Sequence, residues 1–167
     1  GTMLGRIVLA NNGKDFAVAD PNATHLVGEV SLDEPIKQES TSGNKNVHVV
    51  VVDCGVKRSI VNSLRERGCS VTVVPDDQDF STIDCDGIML SNGPGDPEMC
   101  EMTIANLKKV LESPDPVPVA GICLGSQLLA LAAGGSTFKL PYGHRSQNQP
   151  CREVGTENCV ITSQNHG

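Results

Sequence analysis

Val119-Ala120-Gly121-Ile122-Cys123-Leu124-Gly125-Ser126-Gln127 is the stretch whose reading decides the fold. The apolar run Val117 to Ile122 predicts a strand buried on both faces. Gln127 to Ala133 predicts a short apolar helix, stopped by the pair Gly134-Gly135. Between them stands a cysteine with a glycine two residues to either side. Strand, sharp turn and helix, with a nucleophilic side chain at the tip, is the plan of the G-x-S-x-G elbow, here with sulfur in place of oxygen. Glycine at 121 and 125 suits a turn so tight that backbone meets backbone. The turn would hold the thiol at a helix N-terminus, where unpaired amides and the helix dipole favour a thiolate. The plainer reading is a core cysteine in a packed strand–helix joint, the commoner fate of a free thiol.

Working outward, strands and helices alternate. Val47 to Val52 is a continuous run of β-branched residues, broken only by His48, that ends at Asp53, as expected of a central parallel strand. Arg58 to Arg67 is amphipathic, with Ile60, Val61 and Leu64 on one face, and Gly68 ends it. Val71 to Val74 and Gly87 to Leu90 predict two further strands. Glu98 to Leu111 predicts a helix with Ile104, Leu107, Val110 and Leu111 inward. Such alternation implies a parallel sheet with right-handed crossovers, and ligands bind such sheets beyond the C-terminal strand ends. Ahead of this unit, residues 1–37 carry the strand-like runs Arg6–Ala10, Phe16–Ala19 and Leu26–Val30, with a turn at Asn12-Gly13. The polar segment 38–46 reads as a linker, and 47–167 as the main domain.

The bulk numbers narrow the function classes. A chain of 167 residues can build one α/β domain with a core. That core must be aliphatic, since there is no Trp, one Tyr and three Phe. A net charge of −7 without any basic run excludes nucleic acid and anionic membrane surfaces as expected partners. No apolar stretch approaches a membrane span and no signal peptide is visible, so a cytoplasmic protein is expected. Seven cysteines without a C-x-x-C pair argue against a disulfide framework and against a structural metal site.

A second chemical element is the loop Asn92-Gly93-Pro94-Gly95-Asp96-Pro97. It reads either as a stiff turn or as a donor loop. Proline at 94 has no N–H, so the amide of Gly95 is the next donor, unobstructed by a side chain. With the amide of Leu124 it would stabilise an oxyanion formed on Cys123. Among the four histidines, His25 and His48 read as structural or exposed, His144 as a loop residue, and His166 as lying near the end of a strand Cys159–Thr162. No Cys–His pair is established by this reading.

With these residues in hand, the sequence resembles the glutamine amidotransferase domain of glutamine-dependent carbamoyl phosphate synthetase, a class I triad amidotransferase. The matching stretches are Gly121 to Ala132, Leu90 to Pro97, Val52 to Lys57, Asn148-Gln149-Pro150 and Thr162 to Gly167. Met3 to Ser31 resembles the end of the small-subunit N-terminal domain. The resemblance implies a flavodoxin-like open parallel sheet with helices on both faces, and glutamine hydrolysis through a thioester on Cys123. Gly95 and Leu124 would form the oxyanion hole, while Gly93, Gln127, Asn165 and Gly167 match positions that hold L-glutamine. The domain itself would need no cofactor. Ammonia would pass to a synthetase large subunit or domain, which uses ATP, Mg2+ and bicarbonate.

This chain departs from the family pattern in three ways. The family elbow usually carries His at position 126 and Phe at position 120, where this chain has Ser126 and Ala120. Altered packing rather than altered chemistry is expected from both. The family's His-Pro-Glu motif does not occur in these 167 residues, nor does most of the N-terminal small-subunit domain. The resemblance therefore implies a piece of a larger protein, with glutamine turnover by the piece at least about a thousandfold below the whole's, since general acid–base groups act cooperatively. Two alternatives stand beside this reading: another triad amidotransferase, or a non-catalytic flavodoxin-like docking or regulatory domain.

Overall fold

In the computed structural model, residues 20–43 and 46–167 are described, together with Gly5 and Ile7. The expected strands Arg6–Ala10 and Phe16–Ala19 lie outside the described residues, Ile7 apart. Residues 20–137 and residues 138–167 pack as separate units.

The first unit is a five-stranded sheet in the order β1-β3-β2-β4-β5. Its strands are β1 (Ile36–Gln38), β2 (Val47–Asp53), β3 (Cys69–Pro75), β4 (Gly87–Leu90) and β5 (Val119–Gly121). The last four run parallel, with β2 between β3 and β4 and β5 beyond β4. Renumbered from the first parallel strand, that order is 2-1-3-4, the flavodoxin-like arrangement. Alternating side chains of β2 explain why both faces are covered. Val50 and Val52 join Val74, Leu90, Leu107, Leu124 and Leu128 in one core cluster. Val51 joins Val71, Val73 and Val61 in another. Helix α1 (Arg58–Glu66) therefore covers one face, while α2 (Glu101–Leu111) and α3 (Leu124–Ala132) cover the other. Gly68, at φ +94°, closes α1 with its amide on the Arg65 carbonyl, as the sequence predicts.

Several elements differ from expectation, each for a physical reason. The elbow strand is only three residues long and closes the strand order, so Ala120 is exposed rather than buried on both faces. Helix α3 starts at Leu124, three residues earlier than its apolar run suggests, because the turn itself is helical. Leu26–Val30 forms a 3-10 turn at Val27–Glu29, not a strand. Its backbone groups are satisfied locally, with the amides of Val30 and Ser31 on the Val27 carbonyl. Val27 is buried in the main core, and β1 pairs antiparallel with β3, so residues 20–37 lie within this unit.

On α2 the inward face includes Thr103 and Asn106, two polar residues that share helical spacing with Leu107 and Val110. Both are buried because they are bonded. Thr103 Oγ1 donates to the Asp76 carbonyl at 2.9 Å and Asn106 Nδ2 to the Gln78 carbonyl at 3.0 Å. These two bonds tie α2 to the loop after β3.

The second unit holds an antiparallel hairpin of β6 (His144–Arg152) and β7 (Cys159–His166). His144, expected in a loop, thus lies in a strand opposite His166. Its polar run lacks the alternation that marks a strand in sequence, and the pairing comes from residues far along the chain.

Leu128, fully buried under the sheet, tests the placement of α3. Leu128→Ala is expected to cost about 2–5 kcal/mol, the range for a buried leucine truncation. Met102→Ala on the exposed side of α2, where Met102 is 56% exposed, should change stability by no more than about 0.5 kcal/mol. Urea midpoints of the two variants decide the comparison.

Candidate active site

The elbow is built by backbone contact. A β-carbon on Gly121 would overlap the Gly125 peptide and the Ser126 amide, and one on Gly125 would overlap the Leu90 carbonyl. Hydrogen bonds lock the same approach: the Ile122 amide donates to the Leu90 carbonyl at 3.0 Å, and the Gly125 amide to the Ser91 carbonyl at 3.1 Å. Between these fixed points Cys123 is held at φ 55°, ψ −110°. A non-glycine residue at positive φ is uncommon, and such strain gathers at functional sites. Cys123 is exposed at the start of α3, not packed in the joint. Ser126 reaches back from the first turn, its Oγ donating to the Cys123 carbonyl at 2.7 Å. The residue at this departure from the family pattern thus braces the turn.

The Gly-Pro-Gly loop meets the elbow directly. A β-carbon on Gly93 would overlap the Cys54 carbonyl and lie 2.7 Å from Leu124 Cδ2. Gly93 is therefore required by packing, whatever it does for a ligand. Gly95 sits at φ +85°, a region that suits glycine, and is exposed. Leu124, as the first residue of α3, has an amide without an intrahelical acceptor. The next amide, Gly125, is already taken by the Ser91 and Ile122 carbonyls.

Three polar side chains that sequence reasoning passed over as site-builders hold these loops. Asp53, at the end of β2 and 4% exposed, accepts from the amides of Gly55 and Val56 through Oδ1 at 2.9 and 2.8 Å. Its other oxygen accepts from the Leu32 amide at 3.1 Å. Ser91 Oγ accepts from the Cys54 amide at 2.9 Å and donates to the Asn92 carbonyl. Asn92 Nδ2 donates to the Gly55 carbonyl at 3.1 Å. The loops after β2 and β4 are thus sewn together beside the elbow. An aspartate ending an apolar strand, and a Ser-Asn pair ending the next, were the available signals.

The sequence-predicted residues divide between the two units. Cys123, Gly95, Leu124, Gly93 and Gln127 belong to the first, with Gln127 half-buried on α3. Asn165 and Gly167 belong to the second, at the end of β7. There His166 Nε2 lies 3.2 Å from His144 Nδ1 and 2.8 Å from Gln164 Oε1. His48 has Nε2 at 2.8 Å from Thr72 Oγ1 and Nδ1 at 2.9 Å from the Asp84 carbonyl, near the start of β2 and away from the elbow end. Among the described residues no cluster of three His, Cys, Asp or Glu side chains is arranged to hold a metal ion.

The thiols differ sharply in setting. Burial pushes Cys54 far above the ordinary thiol range and Cys100 up to about 11, neighbouring carboxylates adding to both. Burial also raises Cys85. Only Cys123 and Cys159 are exposed. Iodoacetamide at neutral pH is therefore expected to modify Cys123 first, with Cys159 the comparison and Cys54 and Cys100 protected. Peptide mapping by mass spectrometry reads the order, and modification of Cys159 ahead of Cys123 would deny the elbow any activating role.

Comparison with known proteins agrees with this geometry. The sequence profile of the family "Glutamine amidotransferase class-I" matches residues 50–167. Over its whole length the chain is 49% identical to the Multifunctional protein CAD of Squalus acanthias, of which it spans 7%. It is 46% identical to the Carbamoyl phosphate synthase arginine-specific small chain of Saccharomyces cerevisiae, spanning 41% of that protein. Less than half of either relative's length is thus represented. Among solved structures, a GMP synthase-type protein from Thermoplasma acidophilum aligns with a TM-score of 0.59 and 26% identity, over 72% of this chain and 64% of that one. The chain belongs to the class-I glutamine amidotransferase family.

Proposed function

We propose that this chain is the glutamine-hydrolysing part of a carbamoyl phosphate synthase, with Cys123 as the nucleophile. The observation that carries the reading is Cys123 itself, held at positive φ on the tip of a β5–α3 elbow beside the Gly93-Pro94-Gly95 loop. The 45–49% identity to carbamoyl phosphate synthase small chains and to CAD, against 26% for the GMP synthase-type structure, supports this branch of the family.

In the proposed reaction the Cys123 thiolate adds to the side-chain amide carbon of L-glutamine. The carbonyl oxygen becomes an oxyanion held by the amides of Gly95 and Leu124. Collapse breaks the carbon–nitrogen bond, and the nitrogen leaves as ammonia after gaining a proton. A glutamyl thioester remains on Cys123. Water then adds to the thioester, releasing glutamate and the thiol. Gly93, Gln127, Asn165 and Gly167 are the proposed substrate contacts.

The two histidines of the first unit are occupied elsewhere, His48 with Thr72 and His25 with Asp76. That supports a general base supplied from outside residues 20–137. Ammonia then passes to the synthetase large subunit or domain, where ATP, Mg2+ and bicarbonate are used. No helix among the described residues is long and apolar enough to cross a membrane, which accords with a cytoplasmic enzyme.

The test uses the full-length protein that carries this chain. Cys123→Ser should lower glutamine-dependent carbamoyl phosphate synthesis at least about 10³-fold, as removal of a nucleophile does. Synthesis from added ammonia should be unchanged. Gly95→Val should lower glutamine-dependent synthesis on the order of 10²-fold, the usual loss for one oxyanion donor. Glutamine-dependent synthesis surviving Cys123→Ser would overturn the reading in favour of a docking domain, and near-normal turnover in Gly95→Val would remove the loop from the chemistry.

A further inference from the structure

The segment 25–32 lies across the loops that flank the elbow, and its attachments are specific. Leu26 packs on Gly95, its Cβ, Cδ1 and Cγ lying 3.3, 3.6 and 3.7 Å from the place a β-carbon on Gly95 would take. Val30 packs likewise on Gly55, with Cγ2 at 3.2 Å from the corresponding point, beside Pro94 Cδ at 3.2 Å. Val27 between them is 1% exposed and anchors the segment in the main core. The same short segment therefore touches the Gly95 loop of the proposed oxyanion site and the Gly55 loop beside it.

Its two ends are tied down by carboxylates of the sheet. At the near end, His25 Nε2 approaches Asp76 Oδ2 to 2.9 Å. Both atoms are shut off from solvent and neither has another hydrogen-bond partner. Asp76 is only 3% exposed, and burial raises its carboxyl above the ordinary range against the pull of His25 and Ser31. At the far end, Ser31 Oγ accepts from the Asp76 amide at 3.0 Å and the Leu32 amide donates to Asp53 Oδ2 at 3.1 Å. Asp53 is the residue that also shapes the Gly55 loop.

Gly28 completes the latch. A β-carbon there would stand 2.9 Å from His25 Nδ1 and 3.2 Å from Cε1. The imidazole thus lies close against a backbone that has no side chain in the way. Gly28 is not among the residues at positive φ, so the glycine is required by the ring and not by the backbone.

We propose that His25 is a positioning residue for glutamine hydrolysis: by latching segment 25–32 to Asp76 it seats Leu26 on Gly95 and fixes the direction of the Gly95 amide. This rests on the reading of Gly95 as an oxyanion donor. His25 touches no reacting atom in this role. It acts through Leu26 and the loop, so its loss should slow the chemical step and leave glutamine binding nearly unchanged.

The experiment measures ammonia release from glutamine by the full-length protein. His25→Ala should lower kcat about tenfold with KM within about twofold, a smaller loss than the roughly 10²-fold expected when the donor itself is removed. Gly28→Ala, which leaves His25 in place but displaces its ring, should reproduce that loss. His25→Gln, which keeps an N–H donor for Asp76, should restore most of the rate. Alkylation of Cys123 by iodoacetamide should proceed at the wild-type rate in all three.

A His25→Ala enzyme with normal kcat overturns the proposal, and so does a loss that merely tracks the fraction of unfolded protein by near-UV circular dichroism. Gly95→Val separates the two levels. If Gly95→Val is inactive while His25→Ala is normal, only the latch falls. If Gly95→Val is active, the oxyanion reading falls first and takes the latch with it.

Discussion

A β-carbon on Gly121 would strike the Gly125 peptide, one on Gly125 would strike the Leu90 carbonyl, and one on Gly93 would strike the carbonyl of Cys54. These three approaches of backbone to backbone are the constraint on which the site depends. They bring the end of β4, the turn after β5 and the loop after β2 within hydrogen-bond reach of each other. The Leu90 and Ser91 carbonyls then accept the Ile122 and Gly125 amides. With those contacts made, the residue between Gly121 and Gly125 has little freedom left. Cys123 takes a positive φ because its neighbours are fixed on both sides. The cost of that conformation, of order 1–3 kcal/mol, is carried by the surrounding packing.

The fold supplies the rigidity. Val50, Val51 and Val52 of β2 are fully buried, and they divide between two core clusters on opposite faces of the sheet. A strand held from both sides is a firm platform for the loop at its end. Helix α3 is held by Leu124, Leu128 and Ala132, one turn apart, against the same cluster. Its first turn therefore rests on the main core cluster. Function is placed on loops, and the loops are placed by buried strands.

Polar ties finish what packing starts. Ser91 and Asn92 join the loops after β2 and β4 through hydrogen bonds between side chain and backbone, and Asp53 ties the first of these loops to Leu32. Asp76 and Asp53 hold the segment that runs across them. Thr103 and Asn106 pin α2 to the residues after β3. Every one of these side chains is polar, and each bridges parts of the chain far apart in sequence.

The sequence by itself determined the alternation of strand and helix, the elbow with its glycine spacing, and the end of the sheet at which the elbow and the Gly93-Pro94-Gly95 loop lie. Those features are local: apolar runs, helical periodicity and glycines at short fixed intervals write them directly. Gly87 to Leu90 was legible to the residue because an apolar run meets turn residues at once. Only the tertiary structure decided the rest. Leu26 to Val30 has the composition of a strand, yet without a ladder partner it closes its own turn on Val27. His144 has the surroundings of a loop, yet pairing with His166 across the hairpin makes it part of a strand. Thr103 and Asn106 are polar, yet the carbonyls of Asp76 and Gln78 allow them inward. The reason is the same in each case. Whether a backbone ladder or a buried polar group is satisfied depends on a partner distant in the chain, and no local pattern of residues names that partner.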